Sequence, residues 1–226
     1  MKKGHPHPLS IVIDDIVSIF GDMGFAVALG PEIEDEYHNF DALNIPAHHP
    51  ARDMWDTFWL KSGKLLRTHT SPVQVRYMEN NQPPFKIISP GKVFRYEATD
   101  ATHEAQFYQV EGLYIAESVS LAELKGTIQK FFEKFLGKDA EIRFRPSYFP
   151  FVEPGVEVDV KWGDRWLEVM GAGLVHPKVL ENAGYDSKIW KGFAFGGGVD
   201  RFAMLKYGVD DVRLFYKGDL RLIDQF

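Results

Sequence analysis

The sequence predicts an α+β fold in which a mostly antiparallel sheet packs against helices. Short alternating segments are joined mainly by hairpin-type connections, whereas a parallel sheet would need long crossovers. A capping box at Ser120 opens a strongly amphipathic helix. The chain has 226 residues, of which 45% are apolar and 26% charged, so we expect one folded domain spanning residues 1–226.

Composition excludes several classes of protein. The chain has no cysteine, which rules out disulfides, thiolate nucleophiles and cysteine-ligated metal sites. The 26 Lys and Arg against 32 Asp and Glu give a net charge of −6, which argues against nonspecific binding of nucleic acid by this chain alone. No segment approaches the ~20 apolar residues of a membrane helix, and no apolar signal core follows Met1. We therefore expect a cytoplasmic protein with no membrane partner.

The N-terminal segments predict a helix followed by a strand. Apolar residues recur at spacings of three and four from Pro8, which suits a first turn, to Gly24, which suits a stop. They are Leu9, Ile13, Ile16, Phe20 and Met23. The apolar run Phe25–Leu29 then predicts a short buried strand that ends at Gly30-Pro31.

The next segments predict a loop, a hairpin and a second helix. Residues 39–52 contain two prolines and show no period, which is typical of an ordered loop. Residues 57–60 and 64–68 flank Ser62-Gly63 and predict a hairpin. Ser71-Pro72 with Gln74 resembles a capping box and predicts a helix start.

The middle of the chain predicts three antiparallel strands and a long helix. The strands are residues 85–89, residues 92–97 after a turn at Pro90-Gly91, and residues 107–116. The helix begins at the capping box of Ser120 and Glu123 and ends at Gly137. Its apolar stripe consists of Leu121, Leu124, Ile128, Phe131 and Phe135.

The C-terminal half returns to strands. Residues 141–145, 156–162 and 165–170 alternate, and Gly163-Asp164 joins the last two. Residues 171–173 let backbones approach closely, and residues 176–183 predict a short helix. A strand at 192–195 runs into three glycines, and residues 199–207 predict a final helix.

One face of the central hairpin carries side chains that suit a nucleotide and an amino acid. If residues 98–106 simply close the hairpin, Arg95 lies opposite Gln109 and Glu97 opposite Phe107, with Glu111 on the same face. An arginine can hold a phosphate, a phenyl ring can stack on a base, and Gln and Glu can hold an ammonium or amide. A solvated sheet face with cross-strand ion pairs is the alternative.

Three further features could belong to the same site. Glycines 196–198 ahead of Arg201 would let a nucleotide approach the backbone beside a second fixed positive charge, although a tight turn also explains them. Phe149 and Phe151 flank Pro150 and could build an aromatic wall, with core packing as the alternative. Glu153, in a predicted turn through Gly155, could ligate a hard cation or be an exposed carboxylate.

Together these segments resemble the family of bacterial phenylalanyl-tRNA synthetase α subunits, which are class II aminoacyl-tRNA synthetases. Gly30-Pro31 resembles motif one, Phe94–Glu97 with the loop through His103 and Phe107 resembles motif two, and Gly196–Arg201 resembles motif three. Segments typical of this subfamily are residues 39–44, 49–54, 67–72 and 149–155. The resemblance spans residues 4–226 and implies the class II catalytic fold, an antiparallel sheet flanked by helices.

The resemblance implies a phenylalanine–tRNA ligase that uses ATP as substrate with Mg²⁺. Arg95 and Arg201 would be catalytic, contacting the α-phosphate and the far phosphate or ring. ATP would also contact Glu97, His103 and Phe107. Phenylalanine would be held by Trp55, His69, Ser71, Gln109, Glu111, Phe149, Phe151 and Ala194. Glu153 would bind magnesium at the junction with a β subunit, in an α2β2 assembly that charges tRNA(Phe).

The sequence departs from the family pattern in three places. The resemblance begins almost at Met1, so we expect the N-terminal tRNA-binding helical arm of such subunits to be absent from residues 1–226. Asp200 stands where Glu is usual, and Gly197 stands where a larger apolar residue is common. Two other functions stay open: a binding or regulatory paralogue without activity, and an enzyme that adenylates an amino acid for a non-tRNA acceptor. A degenerate paralogue would be expected to lose Arg95, Glu97, Phe107 or Arg201, and all four are present.

Overall fold

The computed structural model describes residues 4–50, 52 and 56–226. The strands are β1 (Ala26–Val27), β2 (Ile33–Glu34), β3 (Leu65–Leu66), β4 (Phe85–Phe94), β5 (Gln106–Ala116), β6 (Ile142–Phe149), β7 (Val152–Trp162), β8 (Arg165–Val175) and β9 (Lys191–Gly198). The α-helices are α1 (Pro8–Gly21), α2 (Glu36–Asn39), α3 (Ser71–Asn80), α4 (Leu121–Leu136), α5 (Pro177–Asn182), α6 (Val199–Tyr207) and α7 (Leu220–Ile223). Short 3-10 helices cover Asp41–Leu43 and Val212–Phe215.

The central sheet has the order β1-β4-β5-β9-β8-β7-β6, and β2 pairs with β3 in a separate ribbon. Within the described residues, the pairing of β1 with β4 is parallel and the other ladders of the sheet are antiparallel. The predicted α+β fold is therefore confirmed. In the described part of the chain, no helix has the length and apolar character of a membrane span.

The two faces of the sheet carry two separate apolar cores. Ile88 of β4, Val110 of β5 and Phe195 of β9 face the larger core, which is covered by α1, α4 and α6. Their neighbours in the chain point the opposite way because side chains alternate along a strand. Leu113 and other residues of that second face contact a smaller core built with α3 and α5.

Helices α1 and α4 are confirmed where the apolar period predicts them. The side chain of Ser120 accepts a hydrogen bond from the Glu123 N–H, and Glu123 bonds back to Ser120, so the capping box of α4 is present. In α1 the imidazole of His7 accepts from the Leu9 N–H and caps the helix. Val12 is fully buried, whereas the predicted stripe residue Ile13 is half-buried.

The predicted turn at Pro90-Gly91 is wrong, because β4 continues through both residues. Only Ile87 and Ile88 of this strand pair with β1, so Pro90 lies where one side of β4 has no neighbouring strand. A proline lacks the N–H that a second neighbour would require, and a strand edge tolerates that loss. Position 91 needs glycine for a different reason: a Cβ there would lie 2.2 Å from Nη2 of Arg67.

The predicted register of the central hairpin is wrong by four residues. Gln109 pairs with Gly91 rather than with Arg95, and Phe107 pairs with Val93 rather than with Glu97. The Arg95 N–H bonds to the Ala105 carbonyl just beyond the strand ends. A shift of an even number of residues keeps every side chain on its predicted face, because the strand period is two. Phe107, Gln109 and Glu111 therefore share one face, as predicted.

Other local predictions fail where tertiary contacts override a turn signal. Residues 153–155 lie inside β7, beside a register irregularity between Val152 and Gly155, and do not form a turn. Glycines 196–198 are the last residues of β9, which leads directly into α6. The first predicted strand shrinks to the exposed pair Ala26–Val27, and the loop at 39–52 contains the 3-10 helix Asp41–Leu43.

The predicted hairpin around Gly63 is present as an antiparallel bridge between Trp59 and Leu65, and backbone hydrogen bonds join Leu60 to Lys64 and Leu66 to Phe58. Gly63 has a φ of 82°, which suits a residue without a side chain in a tight turn. Leu65–Leu66 then pairs with Ile33–Glu34, so the hairpin joins a segment from much earlier in the chain. This ribbon brings residues 67–70 against the end of β4.

Candidate active site

A cavity of about 340 Å³ opens on the second face of the sheet, beside the smaller core. Its walls combine charged residues at one side with apolar residues at the other. The predicted site residues that line it are Arg95, Glu97, His103, Phe107, Arg201, His69, Ser71, Gln109, Glu111, Phe149, Phe151 and Ala194. Trp55 lies outside the described residues. Glu153 is not among the residues lining this cavity.

Glu111 lies at the centre of the polar wall and is almost fully buried. Its Oε2 accepts hydrogen bonds from Ser71 Oγ at 2.5 Å and Gln74 Nε2 at 2.8 Å, and its Oε1 accepts from the Thr70 N–H at 3.0 Å. Burial raises the pKa of Glu111, while the hydrogen bonds from Ser71 and Thr70 act in the opposite direction. The first turn of α3 is thereby tied to the middle of β5.

Ser71 and Gln74 do not form the predicted capping box. Thr70 is the N-cap of α3 and makes no side-chain capping bond, and both predicted capping side chains donate to Glu111 instead. Their donors bond to a buried carboxylate, and hydrogen bonds to a charged acceptor are stronger than those between neutral groups. Gln74, which sequence reasoning treated only as a cap, is therefore a residue of the site.

The segment before α3 is held from both sides. Asn39 donates from Nδ2 to Thr68 Oγ1 at 3.0 Å and accepts at Oδ1 from the Thr68 N–H at 3.3 Å. The guanidinium of Arg67 is buried and donates to the carbonyls of Lys92 at 2.7 Å and Gly30 at 3.1 Å. These contacts fix His69 in the cavity wall. Neither Arg67 nor Asn39 was predicted as a site residue by its chemistry.

His69 is buried between two arginines. Burial lowers its pKa to about 3, and the charges of Arg95 and Arg67 add to the lowering. The imidazole is therefore neutral at physiological pH. A neutral ring next to two guanidinium groups keeps the local positive charge from increasing further.

Arg95 lies between the backbone of residue 68 and the ring of Phe107. Its Nε donates to the Thr68 carbonyl at 3.0 Å, and its Cζ lies 5.1 Å from the centroid of the Phe107 ring. Burial lowers the pKa of Arg95, and the charge of Arg201 lowers it further. Arginine stays protonated at neutral pH despite such shifts, so the site keeps a fixed cation beside an aromatic face.

Arg201 approaches from the first turn of α6. Its Nη1 donates to the Glu168 carbonyl of β8 at 2.9 Å.

Gly196 is adjacent to Glu111 in the β5–β9 ladder, and a Cβ at Gly196 would lie 2.6 Å from Glu111 Cγ. Gly196 therefore leaves room for a buried carboxylate on the neighbouring strand. This packing requirement explains the glycine better than a tight turn does, because residues 196–198 lie within β9.

The aromatic wall stands at the turn between β6 and β7. The rings of Phe149 and Phe151 are stacked, with centroids 5.9 Å apart and an interplanar angle of 24°. A Cβ at Gly171 would lie 3.0 Å from Cζ of Phe149, so glycine at that position makes space for the ring. Ala194 lies between the wall and the smaller core. This side of the cavity suits a flat apolar group.

The connection at 98–105 covers the other side of the cavity. Asp100 accepts from the N–H groups of Thr102 at 2.7 Å and His103 at 2.9 Å. The Thr102 N–H, the His103 imidazole and the Thr102 hydroxyl hold the pKa of Asp100 below its usual range. The 3-10 helix at the C-terminal end is bonded to this connection, because the Val212 N–H donates to the Ala101 carbonyl at 2.9 Å. His103 is thereby held beside the charged wall.

Asp200 joins several of these elements. It is 3% exposed, accepts from the Tyr108 N–H at 2.9 Å and accepts from the hydroxyl of Tyr216. Burial raises its pKa to about 6, whereas the two hydrogen bonds lower it. The sequence singled out Asp200 only as a departure from the family pattern.

The described residues do not form a complete magnesium site. The Glu153 side chain is largely exposed and lies 3.6 Å from Nε2 of His176. Among the residues that the structure describes, one group has three close metal-ligand side chains, Glu34, Asp35 and His38. Arg76 already forms hydrogen bonds with both oxygens of Glu34, so this group is an ion-pair cluster.

Comparison with known proteins identifies a family model and a solved structure that are similar to this chain. The family model "tRNA synthetases class II core domain (F)" matches residues 1–226. The crystal structure of pyrrolysyl-tRNA synthetase from Desulfitobacterium hafniense is similar with a TM-score of 0.72 at 20% identity. That match covers 93% of this chain and 74% of the other, and at this identity it supports the fold alone.

Curated relatives are much more similar in sequence. The chain is 54% identical to the phenylalanine–tRNA ligase alpha subunit of Dehalococcoides mccartyi, over 99% of this chain and 70% of the relative. It is 55% identical to the alpha subunit of Synechocystis, over 99% and 68% of the two chains. It is 57% identical to the alpha subunit of a Marinomonas species, over 100% and 69%.

Proposed function

The chain belongs to the class II tRNA synthetase core family, among the phenylalanine–tRNA ligase alpha subunits, and from this premise we propose how its cavity works. It is the catalytic subunit of a phenylalanine–tRNA ligase. It activates L-phenylalanine with ATP to phenylalanyl-adenylate, and the phenylalanyl group then passes to the terminal adenosine of tRNA(Phe).

One observation carries the proposal beyond the family. A buried carboxylate, two arginines and a phenyl ring line one cavity, and the opposite wall is a pair of stacked phenyl rings. These groups match the parts of the two substrates: an ammonium, phosphates, a base and a side-chain ring. A solvated sheet face with cross-strand ion pairs would have left Glu111 exposed, and it is 6% exposed.

ATP occupies the charged wall in this proposal. Arg95, held at Nε by the Thr68 carbonyl, contacts the α-phosphate, and Phe107 stacks on the adenine. Arg201, held by the Glu168 carbonyl, contacts the far phosphate or the base. Glu97, which lies just after β4, and His103, in the connection that covers the cavity, approach the nucleotide. Two arginines held by backbone carbonyls are preorganised and need little reordering when ATP binds.

The amino-acid end lies at Glu111. A carboxylate offers about four acceptor positions, and Ser71, Gln74 and the Thr70 N–H use three of them in the described structure. One remains for the substrate ammonium. Gln109 and neutral His69 line the same wall and are placed to orient the substrate carboxylate without adding charge.

The phenyl ring of the substrate lies against Phe149 and Phe151, with Ala194 at the end of the pocket. Tyrosine would need extra space there and a partner for its hydroxyl. The surrounding side chains, including Leu113, Val175 and Val179, are apolar and supply no such partner. A buried hydroxyl without a hydrogen bond costs about 1–3 kcal/mol, which favours phenylalanine.

Activation needs no protein nucleophile. An oxygen of the substrate carboxylate forms a bond to the α-phosphorus of ATP, the bond from that phosphorus to the bridging oxygen breaks, and pyrophosphate leaves with the electron pair. The chain contributes alignment of the two substrates and stabilisation of the negative charge on the α-phosphate by Arg95. The adenylate then loses AMP when the terminal ribose hydroxyl of tRNA attacks the carbonyl carbon.

The remaining parts of the reaction depend on other components. Magnesium, when bound, would neutralise phosphate charge, and Glu153 would supply one oxygen ligand of a site completed by a β subunit. The name of the relatives implies such a subunit. We propose an α2β2 assembly in which the partner supplies much of the tRNA contact, since this chain carries a net charge of −6.

Exchange of labelled pyrophosphate into ATP tests the proposal. The chain is assayed with and without a bacterial β subunit, with phenylalanine as substrate and tyrosine and leucine as controls. Exchange that requires phenylalanine is the expected result. A folded chain that binds ATP but gives no exchange even with the β subunit would instead identify a binding paralogue.

A further inference from the structure

A single carboxylate joins the two segments that hold the nucleotide in the proposed function. Asp200 immediately precedes Arg201, and its Oδ2 accepts from the N–H of Tyr108, the residue that follows Phe107. The side chain therefore spans from the first turn of α6 to β5. Its second oxygen, Oδ1, accepts from the hydroxyl of Tyr216 in the C-terminal segment.

The carboxylate oxygens of Asp200 are occupied by donors from the protein, although the residue lines the cavity. It is 3% exposed. The ring of Tyr216 packs against the larger apolar core on the far side of the sheet. The carboxylate is thus held between a backbone N–H and a phenol at the margin of the cavity, where Asp200 is one of the lining residues.

We propose that Asp200 and Tyr216 are positioning residues that set the spacing between the ring of Phe107 and the guanidinium of Arg201. The proposal rests on the function proposed above, in which these two groups hold ATP. Both hydrogen bonds end on the Asp200 carboxylate. A substitution at Asp200 would therefore displace Phe107 and Arg201 together and leave Phe149 and Phe151 in place.

The C-terminal segment strengthens this arrangement. The Val212 N–H bonds to the Ala101 carbonyl in the connection that carries His103, and the Phe215 carbonyl accepts from Nε2 of His7. Tyr216 therefore belongs to a segment that is fixed at both the cavity side and the α1 side. A distant part of the sequence in this way contributes to the geometry of the nucleotide site.

The groups that face Asp200 determine how it responds to pH. They are the Tyr216 hydroxyl from the C-terminal segment, the Tyr108 N–H from β5, and Glu104 from the covering connection, whose negative charge acts to raise the pKa of Asp200. Protonation removes the charge that strengthens both hydrogen bonds. We therefore expect the hydrogen bonds of Asp200 to Tyr216 and Tyr108 to weaken as the pH falls through about 6.

The experiment compares three variants with the wild type in the pyrophosphate exchange assay, using the complex with the β subunit. The variants are Tyr216→Phe, which removes one donor, Asp200→Asn, which places an amide NH₂ against one of the two donors, and the double variant. Tyr207→Phe and Asp210→Asn are matched controls, because they make the same chemical changes on α6 or just after it, away from the Asp200–Tyr216 contact.

We expect KM for ATP to rise roughly 5- to 20-fold in each single variant, with KM for phenylalanine within twofold of wild type. The double variant should resemble Asp200→Asn, since in this proposal Tyr216 acts through its hydrogen bond to Asp200. The KM for ATP of the wild type should rise below about pH 6, and that of Asp200→Asn should not. The two control variants should match the wild type.

Two results would overturn the proposal. KM for ATP equal to that of wild type in both single variants would show that Asp200 and Tyr216 do not position the nucleotide site. Equal increases in both KM values, with a lower unfolding midpoint, would show general loss of structure. Absence of exchange in the wild-type complex would count against the proposed function instead, so the two failures are distinguishable.

Discussion

Ser71 Oγ donates a 2.5 Å hydrogen bond to Oε2 of Glu111, and this contact joins the first residue of α3 to the middle of β5. The two residues are 40 positions apart in sequence. Because both are buried in the cavity wall, the bond orients the carboxylate that we assign to the substrate ammonium. The orientation of the amino acid therefore depends on how α3 packs against the sheet.

The Ser71–Glu111 contact leads to a prediction about phenylalanine binding. Ser71→Ala removes one of the three donors to Glu111, so we expect KM for phenylalanine to rise roughly tenfold in pyrophosphate exchange while KM for ATP changes less than twofold. Ser187→Ala is the matched control, because Ser187 Oγ makes a similar bond to Glu181 on the exposed surface. A change in KM for ATP of the same size as that for phenylalanine would contradict the assignment.

Arg95 should be required for chemistry and dispensable for folding. Arg95→Ala removes the cation assigned to the α-phosphate, so we expect exchange to fall by roughly a hundredfold or more. The far-ultraviolet circular dichroism spectrum should match that of wild type. Arg165→Ala, which removes an exposed arginine stacked on Trp162, serves as the control and should retain exchange. A collapsed spectrum for Arg95→Ala would instead assign this arginine to the fold.

Gly197 should not tolerate a side chain. A Cβ there would lie 2.5 Å from the Val169 carbonyl oxygen and 2.6 Å from Cζ of Phe202. We expect Gly197→Ala to lower the free energy of unfolding by about 1–3 kcal/mol, as overpacking does in buried sites. Gly126→Ala lies on the exposed face of α4, where a Cβ would have nothing within 4 Å, and should raise the free energy of unfolding by about 0.5–1 kcal/mol. Urea denaturation measures both, and equal effects would refute the steric argument.

His69 should make stability depend on acid. Its pKa is about 3 in the folded protein against 6.5 for an ordinary histidine, so the unfolded chain binds a proton more readily between these values. The contribution of neutral His69 to the free energy of unfolding is complete above pH 6.5, and it is lost as the pH falls toward 3. We expect the wild type to lose about 2 kcal/mol relative to His69→Asn between pH 6.5 and 4.5 in urea denaturation.

The control for this pH experiment carries the same substitution at exposed His48. The difference between two proteins is measured, so the titration of the carboxylates cancels. Parallel curves for wild type and His69→Asn would contradict burial of a neutral ring at position 69.

The sequence predicted which side chains share a face better than it predicted where strands end. The register of β4 against β5 was misplaced by four residues, yet Phe107, Gln109 and Glu111 lie on the predicted face because alternation survives an even shift. The turn signals at Pro90 and at Glu153-Pro154 failed because strand pairing overrides them, at an edge in one case and beside an irregular pairing in the other.

The contacts that complete the site lie beyond local patterns. Ser71 and Gln74 have the spacing of a helix cap, and only the folded chain brings Glu111 within their reach. The same holds for Asn39 with Thr68 and for Asp200 with Tyr216, which join positions far apart or on different elements. Sequence reasoning has no signal for such pairs when each residue also has a plausible local role.

The alternation of β5 between the two faces of the sheet restricts how the gene can change in length. Val110 points into the larger core while Gln109 and Glu111 point into the cavity. Deletion or insertion of one codon before residue 111 within this strand would exchange the two sets, placing a carboxylate in the apolar core and a valine in the cavity. Length variation among functional descendants of this gene should therefore fall in the connection at 98–105, outside the strand.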